Sequence, residues 1–239
     1  MRSIHQEKVF KQLIKKSNTS EYNKLNNFTK FIRRQQVAKF LARYEVFQRQ
    51  IGIKGSIIEC GVDEGFGVMA FAHFSTILEP YHYFRKIIAF DTFEGFPSIS
   101  KKDKKNKTSR KGSFKRNYNT FQDLKKSIKA FDKNRFLNNK DKIELIKGDA
   151  CKTIPKYISK NKHLLVSLLW LDFDIYEPTK VALDNFLPRM PKGAILVFDE
   201  LNNKQWPGET IAFLENKNIK YKKMEKIIFE PNLSFFEIK

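Results

Sequence analysis

From Gly55 onward the chain alternates short apolar runs with amphipathic stretches, and this alternation limits its possible folds more than any other feature. The runs are Ser56-Ile57-Ile58-Glu59-Cys60, Ile87-Ile88-Ala89-Phe90-Asp91, Lys142-Ile143-Glu144-Leu145-Ile146, Leu164 to Leu171, and Gly193-Ala194-Ile195-Leu196-Val197-Phe198-Asp199. Between them lie helical patterns through Phe66 to Leu78, near Thr153 to Ser159, and from Tyr176 to Leu187. Short apolar runs separated by helices fit buried strands, and strands joined by helical crossovers run parallel. The expected fold is α/β, a doubly wound, mostly parallel sheet with helices on its faces. The tail differs: Ile219 to Phe229 and Leu233 to Ile238 have no helix between them and meet through Pro231-Asn232. That predicts a terminal hairpin adding an antiparallel strand.

Residues 1–50 read as a helical extension ahead of a main domain at 51–239. Val9, Phe10, Leu13 and Ile14 make one short apolar face, and Phe28 through Phe47 recur at three- and four-residue steps. The Asn- and Ser-rich Ser17 to Asn27 reads as their linker. The longest apolar run holds eight residues, against the roughly 20 a membrane-spanning helix needs. With no apolar secretory core at the N-terminus, the expected address is the cytoplasm. Cys60 and Cys151 have no metal-ligand spacing, which argues against a zinc site or a disulfide scaffold.

Lys and Arg number 46 against 26 Asp and Glu, a formal net charge of +20. Such an excess suits an anionic partner and suits equally a Lys-rich solvated surface, because Lys occurs in every segment. One stretch concentrates it. Ser98 to Arg116 carries nine Lys and Arg against the single acid Asp103 and has little to bury, so it reads as a mobile basic loop or lid. It follows the C-terminal end of an expected strand, the edge where open α/β sheets bind ligands.

The motifs gather at that edge. Glu59-Cys60-Gly61-Val62-Asp63-Glu64-Gly65-Phe66-Gly67 follows a strand and opens a helix. Its G-x-x-x-G-x-G spacing is neither the dinucleotide pattern nor a phosphate-binding P-loop. Glu59 would repel a pyrophosphate but attract an ammonium, favouring a ligand with an amino-acid part. Asp91, with Thr92 beside it, ends the next strand, where a carboxylate can accept both ribose hydroxyls of a nucleoside or simply cap a turn. Lys147-Gly148-Asp149-Ala150 offers a polar tip for an adenine amino group.

The sharpest signal is acidic. Leu171-Asp172-Phe173-Asp174-Ile175-Tyr176-Glu177 follows one strand and Phe198-Asp199-Glu200 the next. Adjacent parallel strands would bring Asp172, Asp199 and Glu200 together, where they repel one another unless a cation lies between them. An all-oxygen set suits Mg²⁺, or Mn²⁺ as a neighbour. Helix capping is the competing account and covers one or two of these acids.

Taken together, the Glu59-x-Gly61-x-x-x-Gly65 turn, the Asp91-Thr92-Phe93-Glu94-Gly95-Phe96-Pro97 block, Leu171-Asp172-x-Asp174-x-Tyr176-Glu177-x-Thr179 and the Pro207-Gly208-Glu209 turn resemble the macrocin O-methyltransferase (TylF-type) family. The resemblance runs from about Arg34 to Glu209. It implies a seven-stranded, Rossmann-like class I methyltransferase fold, S-adenosyl-L-methionine and Mg²⁺ as cofactors, and methylation of a hydroxyl on a nucleotide-linked or glycosidic deoxyhexose. It also implies a homodimer. By the same resemblance, Glu59, Gly61, Gly65, Asp91, Thr92, Asp149, Ala150 and Asp172 would bind the cofactor. Asp172 and Asp199 match metal ligands, and Asp174 matches the general base. Glu200 stands where the family commonly has Asp, which keeps the charge and lengthens the arm.

Three other functions compete. A catechol-like acceptor would keep the fold and metal. A nucleic-acid methyltransferase would use the charge, but neither an aromatic RNA-binding signature nor a base-methylation motif is present, so no nucleic-acid partner is expected. A nicotinamide-dependent oxidoreductase is disfavoured by the glycine spacing.

Overall fold

A computed structural model describes residues 2–103, 108–217, 219 and 223–239, with side chains from residue 7 onward. The apolar runs form the strands β1 (Ser56–Cys60), β2 (Ile87–Asp91), β3 (Ile143–Lys147), β4 (Val166–Leu171) and β5 (Ile195–Phe198). They are joined by β6 (Glu225–Ile227) and β7 (Glu230–Glu237) in one seven-stranded sheet of order β3-β2-β1-β4-β5-β7-β6. The first five strands are parallel, and β7 runs antiparallel to both β5 and β6. The chain reverses at Ile228-Phe229, and Pro231 and Asn232 lie inside β7, so the turn falls earlier than their residue types suggest.

Side-chain alternation sorts each strand's residues to two cores. Ile58, Cys60, Leu169, Leu171, Leu196 and Phe198 face one core, built with α7 (Ala150–Lys160), α8 (Tyr176–Phe186) and α9 (Pro207–Glu215). Ile57, Leu168, Trp170, Ile195 and Val197 face the other, with α4 (Arg34–Gln50), α5 (Phe66–Leu78) and α6 (Thr120–Asp132). Ala42, Val46 and Phe47 of α4 are fully buried there. Ahead of α4 come α1 (Arg2–Lys16), α2 (Glu21–Asn26) and α3 (Phe28–Phe31). The segment expected as a plain linker thus holds α2, begun by Ser20, whose hydroxyl accepts the Asn23 amide at 3.3 Å.

Near the start of the sheet the buried Arg85 ties several segments together. Its guanidinium donates to Gln50 Oε1 (2.7 Å), to the carbonyls of Ile51, Ile53 and Gly55, and to Ser167 Oγ, and it pairs with Glu79 at 2.8 Å. Removing one partner of such a buried ion pair costs about 3–5 kcal/mol. Among the described residues, no helix is long and apolar enough to cross a membrane.

Candidate active site

The C-terminal ends of β1, β2, β4 and β5 open into a cleft of about 510 Å³. Backbone pairing continues past the strands and fixes what faces it. The Asp172 amide donates to the Cys60 carbonyl at 2.8 Å, and the Asp199 amide to the Leu171 carbonyl at 3.1 Å. Because Leu171 pairs with Phe198, the next residues, Asp172 and Asp199, stand side by side. Of the residues singled out from the sequence, Glu59, Gly61, Asp91, Thr92, Ala150, Asp172, Asp174 and Asp199 line this cleft.

Three do not lie on its wall. Gly65 has φ 93° and precedes α5, so its place is in the turn. Asp149 caps α7, accepting the Cys151 amide at 3.0 Å. Glu200 accepts a hydrogen bond from the Asn203 side-chain amide. Among the described residues no group of three His, Cys, Asp or Glu side chains is arranged to hold a metal ion, so the expected centre of Asp172, Asp199 and Glu200 is not assembled as a set of three.

Glu59 shares a face of β1 with Ile57, and that face looks toward α4 and α5. Its side chain is buried, with Oε2 lacking a hydrogen-bond partner. A methyl group on Gly67 would sit 1.8 Å from Oε1, so glycine there makes room for the carboxylate. Burial pushes the Glu59 carboxyl up to about 8, opposed by Arg43 and reinforced by Asp91 and Asp199. Gly61, at φ 91°, allows a similar approach between backbones: a Cβ would lie 2.0 Å from the Asp172 carbonyl oxygen.

Asp91 is held differently. Its Oδ2 accepts the amides of Val62 (2.7 Å) and Asp63 (3.2 Å), and its Oδ1 accepts that of Phe93 (2.6 Å). The carboxylate therefore folds the loop after β1 against the tip of β2.

The acids after β4 and β5 have few donors. Arg43 Nη2 lies 3.9 Å from Asp172 Oδ2. Burial and the charges of Asp199 and Asp174 drive the Asp172 carboxyl well above the usual range. Asp174 adopts a left-handed backbone at φ 62°, uncommon for a residue with a side chain. Burial, Glu200 and Asp199 push its carboxyl up to about 8. Behind them Glu209 is fully buried; its Oε2 accepts the Glu200 amide at 3.1 Å and its Oε1 has no partner. Its carboxyl is likewise driven well up, by burial and then by Asp174, Asp172 and Asp199.

Arg43 and Lys39 are cleft residues that the motifs did not reveal. The Arg43 guanidinium stacks 4.3 Å from the Trp170 ring and 5.2 Å from Phe66. The available signal was a cation interrupting an apolar face, since Arg43 stands between Phe40 and Phe47 at helical spacing. Glu209 was visible only as the last residue of the Pro207-Gly208-Glu209 turn.

The segment 98–116 has no helix or strand among its described residues, as expected of a loop, but it does bury groups. Asp103 is 7% exposed and Ser109 3% exposed. Asp103 Oδ1 accepts the Tyr176 amide at 2.8 Å, capping α8 from a distant part of the chain. Lys102 pairs with Glu215, Lys115 with Glu94 and Arg116 with Asp63. Lys104, Lys105 and Lys107 lie outside the described residues.

The fold aligns with a crystal structure of CalS11, a calicheamicin methyltransferase, at a TM-score of 0.94 and 29% identity, covering 99% of this chain and 92% of that one. An apo structure of CalS11, described as a TDP-rhamnose 3'-O-methyltransferase, aligns at 0.85 with 26% identity over 99% and 94%. The O-methyltransferase NovP shares the fold at 0.65 and 17% identity, over 85% and 80%. No curated protein matches the chain. The model of the macrocin O-methyltransferase (TylF) family matches residues 17–228, and the chain belongs to that family of S-adenosylmethionine-dependent O-methyltransferases.

Proposed function

We propose that the chain methylates a hydroxyl of a nucleotide-linked or glycosidic deoxyhexose, with a divalent cation, Mg²⁺, held at Asp172 and Asp199. The observation that carries this reading is the acidic pair on adjacent strand tips, backed by Asp174 and Glu209 and faced by few cations. The hard oxygen donors fit Mg²⁺, which typically takes one or two carboxylates and fills its remaining positions with water and substrate oxygens. A closed cage of three acids is not required. The rest of the cleft fits S-adenosylmethionine: the unpartnered Glu59 oxygen suits its ammonium, Asp91 its ribose, and Gly148 and Ala150 its adenine.

When bound, S-adenosylmethionine would supply an activated methyl group as a sulfonium, and Mg²⁺ held by Asp172 and Asp199 would supply a Lewis acid for the acceptor oxygen. The protein then mainly aligns and excludes water. Glu59 and Asp91 fix the donor end. Asp172 and Asp199 fix the acceptor end, with Arg43 braced on Trp170 to hold Asp172. A cation held at Asp172 and Asp199 would favour the ionised form of Asp174, which then accepts the acceptor hydroxyl's proton.

The experiment is methyl transfer from labelled S-adenosylmethionine to TDP-deoxyhexoses, deoxyhexose glycosides and catechols, with and without EDTA. Transfer to one of the sugars, abolished by EDTA and restored by Mg²⁺, is expected. Transfer to catechols in preference to every sugar, or full activity in EDTA, contradicts the proposal.

A further inference from the structure

A second cavity, of about 560 Å³, adjoins the active-site cleft and is lined by Thr108, Arg110, Lys111, Gly112, Ser113 and Phe114. Phe114 lines both spaces. Its ring lies 5.2 Å from Phe96 and 5.7 Å from Trp206, and Phe96 lies 5.9 Å from Trp206. Phe96 follows β2 and Trp206 follows β5, while β1 and β4 lie between those strands. The three rings therefore form one compact cluster joining the loops after β2 and β5, and Phe114, half of it exposed, is its member that faces both the cleft and the second cavity.

The cations of the loop divide into two kinds. Lys102, Lys115 and Arg116 are each paired with a carboxylate. Among the described residues, no carboxylate lies within ion-pair distance of Lys101, Arg110 or Lys111, and the last two are exposed on the wall of the second cavity. The Gly112 amide donates to the Phe96 carbonyl at 2.9 Å and the Phe96 amide to the Ser113 carbonyl at 3.1 Å, so this cationic tip is fastened to the backbone of the aromatic cluster. Cations with no carboxylate beside them among the described residues, held next to an aromatic edge that leads to a reaction centre, match a ligand carrying phosphates outside and a sugar inside. Arginine binds phosphate through paired N–H donors and lysine as a point charge.

We propose that the second cavity receives the diphosphate of a nucleotide-linked acceptor, held by Arg110 and Lys111, with the attached sugar packed against Phe114 on its way to Asp172 and Asp174. This rests on the sugar O-methyltransferase reading and selects, within it, nucleotide-linked sugars over uncharged glycosides.

The test is calorimetric titration of thymidine diphosphate into protein saturated with S-adenosylhomocysteine, for the wild type, the double variant Arg110→Gln/Lys111→Gln, and Arg110→Lys. Saturable binding is expected in the wild type. The double variant should bind about tenfold more weakly or worse, as losing charge-assisted hydrogen bonds requires, and Arg110→Lys should retain most of the affinity. In turnover, the double variant should raise KM for a TDP-sugar far more than it lowers kcat. Equal thymidine diphosphate affinity in wild type and double variant overturns the proposal. So does methylation of an uncharged glycoside with the kcat/KM of its TDP-linked counterpart, a result that leaves the sugar O-methyltransferase reading standing. Failure to methylate any sugar would strike that underlying reading instead. Both substituted side chains are exposed, and an unchanged affinity for S-adenosylhomocysteine reports that each variant is folded.

Discussion

At the tip of β2 the Asp91 carboxylate accepts three backbone amides, while across β1, at the tip of β4, Asp172 has a single guanidinium 3.9 Å away and acids on its other sides. The first half of the cleft is built from hydrogen bonds that the protein supplies itself, each worth about 1.5–3 kcal/mol when it reaches a charged group. The second half concentrates Asp172, Asp174 and Glu209, whose ionised forms burial penalises, beside Asp199. The contrast separates two tasks. A self-satisfied carboxylate is a rigid surface for a ligand to fit, whereas an unsatisfied acidic group stores repulsion that a cation relieves. In the function proposed above, the first half is the donor's seat and the second the place where an acceptor is gripped and deprotonated.

The largest effect should come from the acidic half. Asp174→Asn keeps the shape and removes the proton acceptor, and kcat should fall by about 10²–10⁴, while affinity for S-adenosylhomocysteine stays within about twofold of wild type. An unchanged kcat would remove Asp174 from the chemistry and blur the division between the halves.

A smaller effect sharpens the comparison from the donor side, where Glu59 is the exception to self-satisfaction. Its carboxyl titrates near 8 in the free protein against an ordinary 4.5, so near pH 7 it holds a proton. An ammonium beside Oε2 favours the ionised form. Binding of S-adenosylhomocysteine near pH 7 should therefore release about one proton, and affinity should fall by up to about tenfold per pH unit below pH 8. Calorimetry in two buffers of different ionisation enthalpy measures this directly. The same shift has a stability consequence with a definite sign. Because the folded value lies above the unfolded one, Glu59 makes the free protein lose stability as pH rises from about 4.5 to 8, and protein loaded with S-adenosylhomocysteine should lose less by that one contribution. Proton-neutral binding would mean that Glu59 faces something other than an ammonium.

Much of the fold was legible in the sequence because buried parallel strands must be apolar on both faces. The run Ile87 to Asp91 and the helix Phe66 to Leu78 coincide with β2 and α5. Harder to see was α6, where Phe121, Leu124, Ile128 and Phe131 follow helical spacing among lysines that drown the signal. The short α2 depends on one capping hydroxyl in a stretch whose composition favours turns. At the site, residues fixed by strand ends were readable, since a strand tip is one position wide: Gly61, Asp91, Asp172 and Asp199 all face the cleft. Residues brought in by tertiary packing were not. Arg43 arrives on a helix more than a hundred residues before Asp172, and Asp103 caps α8 although nothing around it resembles a cap. Asp149 followed the opposite course, since helix capping, a local effect, claimed a residue expected to face a ligand.

Whether Asp172 and Asp199 share one divalent cation is tested most directly by titrating Mg²⁺ into protein loaded with S-adenosylhomocysteine. One saturable site is expected in the wild type, absent from Asp172→Asn although that variant still binds S-adenosylhomocysteine. Failure of Mg²⁺ to bind the wild type at millimolar concentration, or binding undiminished in the variant, would contradict that sharing.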